Sequence, residues 1–229
     1  MKPIWNTTAA ALAATALLGL AYAAGPEQGT RVDGVGATAF DTAALETRLG
    51  SLTGAQLSNA EKEGLLFMRE EEKLAFDVYN ALATRWGRPF SNIARAEQTH
   101  MDAVKVLLDR YQLQDPMTIG KAGTFANPTL QRLYNDLVKA GRVSRTEALK
   151  VGAQIEELDI FDLQRWIKQT TNTDILSVYA NLEKGSRNHL RAFDSNLTRF
   201  GATYEPKHLS SEAYRKIVTS PMERGRGGN

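Results

Sequence analysis

Four long stretches of the chain place apolar residues at the spacing of an α-helix. In the first stretch, apolar residues recur every three or four positions and therefore share one helical face: Leu65, Met68, Ala75, Tyr79 and Leu82. The same pattern predicts long helices over residues 58–86, 91–111, 144–170 and 173–200, with a shorter helix over 128–140. Strand-like alternation and hairpin dipeptides are missing from the sequence, so the predicted class is all-α.

Helix-start and helix-stop signals delimit these stretches. Ser58 with Glu61, and Ser144 with Glu147, each match a capping box, in which the two side chains satisfy free N–H groups at the start of a helix. The run Gly87-Arg88-Pro89 is expected to end the first helix, because proline does not continue one.

The chain begins with a segment typical of a secretory signal. Lys2 precedes an apolar run over residues 9–21, and small residues at 21 and 23 are followed by Gly-Pro. We expect cleavage after Ala23 and a secreted or periplasmic protein. The run is shorter than the ~20 residues of a spanning helix, so no membrane span is expected after cleavage. An uncleaved anchor is the alternative interpretation.

The remaining chain divides into three parts. Residues 24–50 are rich in glycine and are interpreted as a linker with a short helix near 42–49. Residues 51–200 hold the four long helices. Residues 201–229 form a C-terminal extension with a flexible tail, and its His208 is not expected to take part in a site.

Composition limits the chemistry that the protein can perform. A net charge of +2, from 28 basic and 26 acidic residues, gives no field that favours nucleic acid. The chain has no cysteine, which excludes disulfides, thiolate metal sites, cysteine nucleophiles and iron–sulfur clusters. Any metal must therefore be held by His, Asp and Glu, a ligand set that suits iron, manganese or zinc.

Acidic and histidine residues lie within the apolar faces of the predicted helices. They are Glu72 on the first long helix, Glu97 and His100 on the second, Glu156 and Asp159 on the third, and His189 on the fourth. Ionised carboxylates inside a dry helix bundle cost several kcal/mol each unless positive charge compensates them. A metal ion, or a pair of them, supplies that charge compactly.

The spacing of these residues points to a dinuclear centre. Glu97 and His100 form Glu-x-x-His, which places a carboxylate and an imidazole one turn apart on one face. Di-iron carboxylate bundles use one Glu from each of two helices and Glu-x-x-His from each of the other two. The fourth helix departs from this pattern, because Ser186 stands three residues before its histidine. Asp159 is expected to supply the sixth ligand; if it does not reach, the site holds one metal, or two unequally.

Two assignments have alternatives. The charge run 69–73 is typical of a solvated face, and of its three glutamates only Glu72 is expected to face inward fully. Residues 71–77 resemble residues 156–162, as if a helix pair had been duplicated. This pseudo-repeat aligns Glu72 with Glu157, whereas the helical period favours Glu156 as the ligand.

Four motifs resemble those of a known family. They lie at residues 69–79, 92–101, 152–160 and 185–193, within a region from Leu52 to Tyr214 that is similar to DUF2202, an exported ferritin-like family of the ferritin/rubrerythrin superfamily. The resemblance implies an antiparallel four-helix bundle with one long crossover, residues 112–143, that contains the short helix. It also implies iron or manganese at the bundle centre and reaction with dioxygen or peroxide.

We therefore expect an exported protein with a dinuclear metal centre, with iron as the metal and manganese as the alternative. Its ligands are Glu72, Glu97, His100, Glu156, Asp159 and His189. The expected activity is that of a di-iron oxidoreductase, an oxidase or peroxide-reducing protein, whose partners are metal ions and dioxygen or peroxide; a homodimer is left open. The alternative is a non-catalytic metal-sequestering or stress-related envelope binding protein. That alternative is favoured by Ser186 and by the lack of the cysteine-bound iron domain of rubrerythrin.

Overall fold

The computed structural model describes residues 30–32, 38–50, 56–117 and 121–224. The predicted signal segment and the last five residues of the predicted tail lie outside the described residues. Within these ranges the chain forms seven helices and one small sheet, so the all-helical class is confirmed apart from that sheet. The helices are α1 (Thr42–Gly50), α2 (Asn59–Trp86), α3 (Phe90–Arg110), α4 (Pro128–Gly141), α5 (Arg145–Ile167), α6 (Thr173–Arg199) and α7 (Ser211–Val218).

The small sheet is a two-stranded antiparallel pair that precedes the helices. Strand β1 (Thr30–Val32) pairs with β2 (Thr38–Phe40), with Arg31 opposite Ala39. These strands were not predicted from the sequence. Each has only three residues, too few for an alternating pattern to emerge.

Helix α1 follows the sheet and confirms the short helix predicted near residues 42–49. The Asp41 side chain accepts a hydrogen bond from the N–H of Ala44 at 3.0 Å and so caps the first turn. Leu45 and Leu49 are buried against the long helices. Part of the predicted linker is therefore a packed element of the fold.

Only one of the two predicted capping boxes forms completely. At the start of α2, Ser58 accepts from the N–H of Glu61 at 3.2 Å, and the Glu61 carboxylate accepts from the N–H of Ser58 at 2.8 Å. At the start of α5, Ser144 accepts from the N–H of Glu147, but the Glu147 carboxylate pairs with Lys150 at 2.8 Å. The first capping box is confirmed, and the second is formed only by its serine half.

The four long helices pack as two hairpins. Helix α2 packs on α3 and α5 packs on α6, and the hairpins meet where α2 contacts α5 and α3 contacts α6. The connections within the hairpins are short, whereas α3 is joined to α5 by a long segment whose helix α4 packs on α2 and α5. Among the described residues, no helix combines the length and apolar character needed to cross a membrane.

Two apolar clusters fill the space between these helices. The Tyr79 cluster includes Tyr79, Phe90 and Phe193, and the Tyr179 cluster includes Leu107 and Tyr179. On α2 and α3, the residues of the Tyr79 cluster lie in the halves next to the connection between the two helices. The residues of the Tyr179 cluster lie in the opposite halves of the same helices. The core is thereby split into two apolar regions along the long helices.

The described part of the C-terminal extension, residues 201–224, packs on α6. Helix α7 was not predicted, because its two turns are too short to show a clear period. Ser210 caps it, and Tyr214 and Ile217 are buried. The described part of the extension is therefore attached to the helical core.

Candidate metal centre

The predicted ligands lie between the two apolar clusters. Along α2, α3 and α6, four of them lie between the residues that belong to the Tyr79 cluster and those that belong to the Tyr179 cluster. These four are Glu72, Glu97, His100 and His189. Glu156 on α5 joins them, and all five side chains are at most 2% exposed. The helices thus bring residues that are up to 117 positions apart in the chain into one buried polar layer.

The five residues form two triads that share one member. His100 Nδ1 lies 2.8 Å from Glu97 Oε2 and 3.3 Å from Glu72 Oε2. His189 Nδ1 lies 2.9 Å from Glu97 Oε1 and 3.4 Å from Glu156 Oε2. In each triad the candidate ligand atoms lie within 4.8 Å of one another.

Glu97 is the shared residue, and its two oxygens point to different triads. Oε2 faces His100 and Oε1 faces His189, while the two imidazole rings are stacked with centroids 5.4 Å apart. A carboxylate that offers one oxygen to each side is the arrangement of a bridging ligand between two metal ions. Glu72 and Glu156 lie at the two ends, one in each triad.

The surrounding protein raises the pKa values of Glu72, Glu156 and His189. Burial raises the pKa of Glu72 and of Glu156 from 4.5 to about 7. Burial lowers the pKa of His189, but the nearby Glu97 and Glu156 carboxylates outweigh it and raise that pKa to about 9. The metal-free centre therefore balances its charge with protons, which a metal ion would displace.

The pKa of Glu97 is shifted in the opposite direction to those of Glu72 and Glu156. Burial raises its pKa, but the adjacent His189 and His100 outweigh that effect and hold the pKa well below the usual range. In return, Glu97 and Glu72 raise the pKa of His100 despite its burial. Glu97 is therefore the permanently ionised group at the middle of the centre.

Tyr79 positions the carboxylate of Glu156. Its hydroxyl donates to Glu156 Oε1 at 2.6 Å and also lies 3.3 Å from the carbonyl oxygen of Gly152. The Tyr79 ring packs against Phe193 and Phe90, with centroids 5.4 and 6.3 Å away. Tyr79 therefore packs in the apolar core through its ring and binds the Glu156 carboxylate through its hydroxyl.

Phe40 of β2 covers the His100 side of the centre. Its ring meets the imidazole edge-on, with centroids 5.5 Å apart and an interplanar angle of 89°. The N–H of Phe40 donates to Thr99 Oγ1 at 2.9 Å, which fixes the strand on α3. The sequence carried no signal for this contact, because Phe40 lies in the segment interpreted as a linker.

Asp159 lies beside the centre and belongs to neither triad. It is buried, and its Oδ2 accepts a short hydrogen bond from Ser186 on α6. Burial, followed by the charges of Glu72 and Glu71, raises its pKa well above the usual value. Asp159 thus faces the serine that replaces the expected glutamate of the fourth helix.

Glu157 points away from the centre and holds the C-terminal extension. Its carboxylate accepts from the Tyr204 hydroxyl at 2.6 Å and from the N–H groups of His208 and Leu209, each at 2.7 Å. Burial raises its pKa, but these donors together with the Lys207 N–H lower it overall. Of the two adjacent glutamates, the structure places the one favoured by helical period at the centre. His208 lies in neither triad.

All three glutamates of the charge run are buried, which contradicts the expectation that only one faces inward. Glu70 accepts from the N–H groups of Ala126 and Asn127 at 2.5 and 2.9 Å and so anchors the start of α4. Glu71 faces α5, and Glu72 enters the centre. The run is enclosed because α3, α4 and α5 surround α2 on several sides.

The donor set fits divalent first-row metals. Each triad offers one imidazole nitrogen and two carboxylates, which suits iron, manganese or zinc. Glu72 Oε1 is buried and accepts no hydrogen bond from any described residue, as expected of an atom that a cation would satisfy. A hard cation would compensate the carboxylates that burial otherwise protonates.

Comparison with known proteins identifies the family. The family model described as an uncharacterized protein domain, DUF2202, matches residues 61–221, and the chain belongs to this family. It is 52% identical over 178 residues to the uncharacterized protein MJ0754 of Methanocaldococcus jannaschii, covering 77% of this chain and 96% of that protein. The crystal structure of hypothetical protein MJ0754 from Methanococcus jannaschii has a TM-score of 0.74 at 52% identity, covering 76% of this chain and 99% of that chain.

Proposed function

We propose that this protein holds a dinuclear metal centre, with iron as the metal and manganese as the alternative, and reduces dioxygen or peroxide there. The observation that carries the proposal is Glu97, whose two oxygens each face a different histidine-containing triad in a fully buried layer. A purely structural ion pair would need only one histidine beside the Glu97 carboxylate, whereas Glu97 lies beside two. Two triads joined through one carboxylate are better explained by two cations.

The proposed architecture is a ferritin-like antiparallel four-helix bundle. The two hairpins, α2–α3 and α5–α6, supply the triads, and the segment between α3 and α5 is the long crossover. This arrangement resembles the bundles in which glutamates and two Glu-x-x-His motifs from facing helices hold two metals, with Ser186 in place of the glutamate of the second motif.

Each residue of the centre has a separate task. With two metal ions bound, Glu97 would be the ligand common to both, Glu72 and Glu156 would bind at the two ends, and the Nδ1 atoms of His100 and His189 would complete the two ligand sets. Tyr79 keeps Glu156 oriented through its 2.6 Å hydrogen bond. An iron pair bound here would supply electrons to dioxygen or peroxide.

Loading of the centre requires the protein to release protons. Both imidazole rings carry raised pKa values, so at neutral pH they are protonated until a metal ion replaces the proton on Nδ1. Glu72 and Glu156 lose their remaining protons at the same time. Metal binding should therefore tighten as pH rises.

The test combines metal content with oxygen consumption. The full-length chain is loaded anaerobically with ferrous iron, its metal content is measured, and oxygen uptake is followed with an electrode after air is admitted. We expect two iron ions per chain and rapid uptake. Glu97→Gln should lose both, whereas Glu63→Gln, the same change at an exposed position of α2, should keep both. Wild-type behaviour of Glu97→Gln would refute the proposal.

A non-catalytic, metal-sequestering or stress-related envelope protein is the second candidate. The observation that favours it is Ser186, which stands on α6 where a glutamate would complete the ligand set and instead donates to Asp159. In the same experiment, this candidate predicts full metal content with no oxygen uptake. The two functions are thereby separated by one measurement.

We also propose that the protein acts outside the cytoplasm. The support is the charged start, apolar run and small-residue cleavage pattern of residues 1–23. Expression of the full chain should yield a periplasmic or secreted product that begins at Ala24. A cytoplasmic product that retains Met1 would contradict the export proposal and leave the metal proposal unaffected.

A further inference from the structure

We propose that a cavity between α2, α3 and the segment that joins α3 to α4 binds a small organic carboxylate with one negative charge and an apolar body. We call it the Arg69 cavity; its volume is about 330 Å³, and none of its lining residues belongs to the two triads. The inference does not depend on the proposed function, because binding in this cavity requires no metal at the centre.

The Arg69 cavity forms where the segment between α3 and α4 lies against α2. The Asp77 carboxylate on α2 accepts from the N–H of Gly123 at 2.8 Å, and Lys73 Nζ donates to the carbonyl oxygen of Lys121 at 3.2 Å. These two hydrogen bonds hold one wall of the cavity on the helix. The lining also includes the exposed residues Gln98 and Lys121, so the cavity reaches the protein surface.

Arg69 brings a buried guanidinium with unused donors to this cavity. Its side chain is 8% exposed. Nε and Nη2 donate to Asp115, at 2.9 Å for Nη2, and Nη1 donates to the carbonyl oxygen of Met101 at 2.6 Å. A guanidinium carries five N–H bonds, so two of them donate to no residue that the structure describes. Donors of a buried charged group favour a partner that can accept from them.

Lys73 adds a second buried cation one helical turn away. Its side chain is 5% exposed, and its ammonium donates to the Asp77 carboxylate and to the carbonyl oxygen of Lys121. The same nitrogen lies 4.4 Å from the centroid of the Phe125 ring. An ammonium has three N–H bonds, so one donates to none of the described residues. The two cations thus leave three donors, and the two oxygens of a carboxylate have enough lone pairs to accept from all of them.

The charges around the Arg69 cavity favour an anion with a single negative charge. Arg69, Lys73 and Lys121 are positive, whereas Asp77 lines the cavity and Asp115 pairs with Arg69. Each acid balances one of the two buried cations, so one positive charge remains. A monocarboxylate compensates that charge.

The other walls of the cavity favour a ligand with an apolar body. Phe76, Met101 and Met117 supply these walls. Ligand sites typically combine such apolar walls with a few polar groups in volumes of about 300–1,000 Å³. An inorganic anion would leave the apolar walls uncovered. The cavity has the volume of about ten water molecules, so an acid of about ten non-hydrogen atoms, such as benzoate, fits it.

Calorimetric titration of the full-length protein with benzoate tests the proposal. Benzamide has the same shape without the charge, and inorganic phosphate has charge without the apolar body. We expect one benzoate per chain, with benzamide and phosphate each binding about tenfold more weakly or worse. Arg69→Gln and Lys121→Glu should each weaken benzoate binding about tenfold or more.

Lys121→Glu guards against misfolding of the buried Arg69 variant, because the Lys121 side chain is exposed. Lys139→Glu, the same charge reversal at an exposed position of α4 outside the cavity, should bind benzoate as the wild type does. Absence of benzoate binding, or benzamide or phosphate binding as tight as that of benzoate, would overturn the proposal. Benzoate binding that is unchanged in Lys121→Glu and Arg69→Gln would place the ligand elsewhere on the protein and would also overturn it.

Discussion

Gly152 on α5 lies where the chain has no room for a side chain, and Gly152→Ala should destabilise the protein. A Cβ at this position would lie 2.3 Å from Cε1 and 2.4 Å from Cζ of Phe193. The Phe193 ring cannot move aside easily, because it is fully buried between Tyr79 and Phe90, with centroids 5.4 and 5.6 Å away. The same packing holds Tyr79 on the Glu156 carboxylate.

The magnitude follows from two opposing effects. Replacing glycine with alanine inside a helix stabilises by about 1 kcal/mol. Overpacking of a filled core costs about 1–3 kcal/mol, occasionally more, and a contact of 2.3 Å belongs at the upper end of that range. We therefore expect a net loss of about 1–2 kcal/mol in the free energy of unfolding.

Urea denaturation followed by far-ultraviolet circular dichroism measures this loss. Gly50→Ala is the control, because a Cβ at Gly50 meets nothing within 4 Å. In a Phe193→Leu background, Gly152→Ala should cost less, because the smaller side chain leaves space. A Gly152→Ala protein as stable as Gly50→Ala would refute the reasoning about this layer of the core.

Three further predictions concern the centre and its surroundings. The pKa values of about 7 for Glu72 and about 9 for His189 lie above those of an unfolded chain, so the folded metal-free protein holds protons that the unfolded chain has lost. Thermal melts should show stability falling as pH rises from 4.5 to about 9, and a flat profile would contradict this. Phe40→Ala should speed removal of metal by a chelator without changing metal content, and an unchanged rate would rule out Phe40 as a cover. Glu157→Gln should cost about 1–3 kcal/mol by urea denaturation, whereas exposed Glu205→Gln should cost little.

The long helices and the burial of Glu72, Glu97, His100, Glu156 and His189 were predictable because their signals are periodic. Each long helix repeats its apolar face over several turns. Glu97 and His100 interrupt one such face, and their three-residue spacing places both side chains on the same side of a helix. Glu156 was distinguishable from Glu157 by the same period, and the structure places Glu157 on the C-terminal extension.

The parts that were not predictable depend on contacts between distant segments. Phe40 reaches His100 from a segment without periodicity, and α7 is too short to reveal its inward face. The burial of Glu70 and Glu71 follows from helices that pack around α2 on several sides, which a pattern along one helix cannot show. A charge run typical of a solvated face is here enclosed by its neighbours.

An anomalous-difference map from crystals of the iron-loaded protein, recorded at the iron absorption edge, tests the central claim most directly. We predict two peaks on opposite sides of Glu97, one beside His100 and Glu72 and the other beside His189 and Glu156. Iron peaks elsewhere on the chain, with none between these side chains, would contradict it.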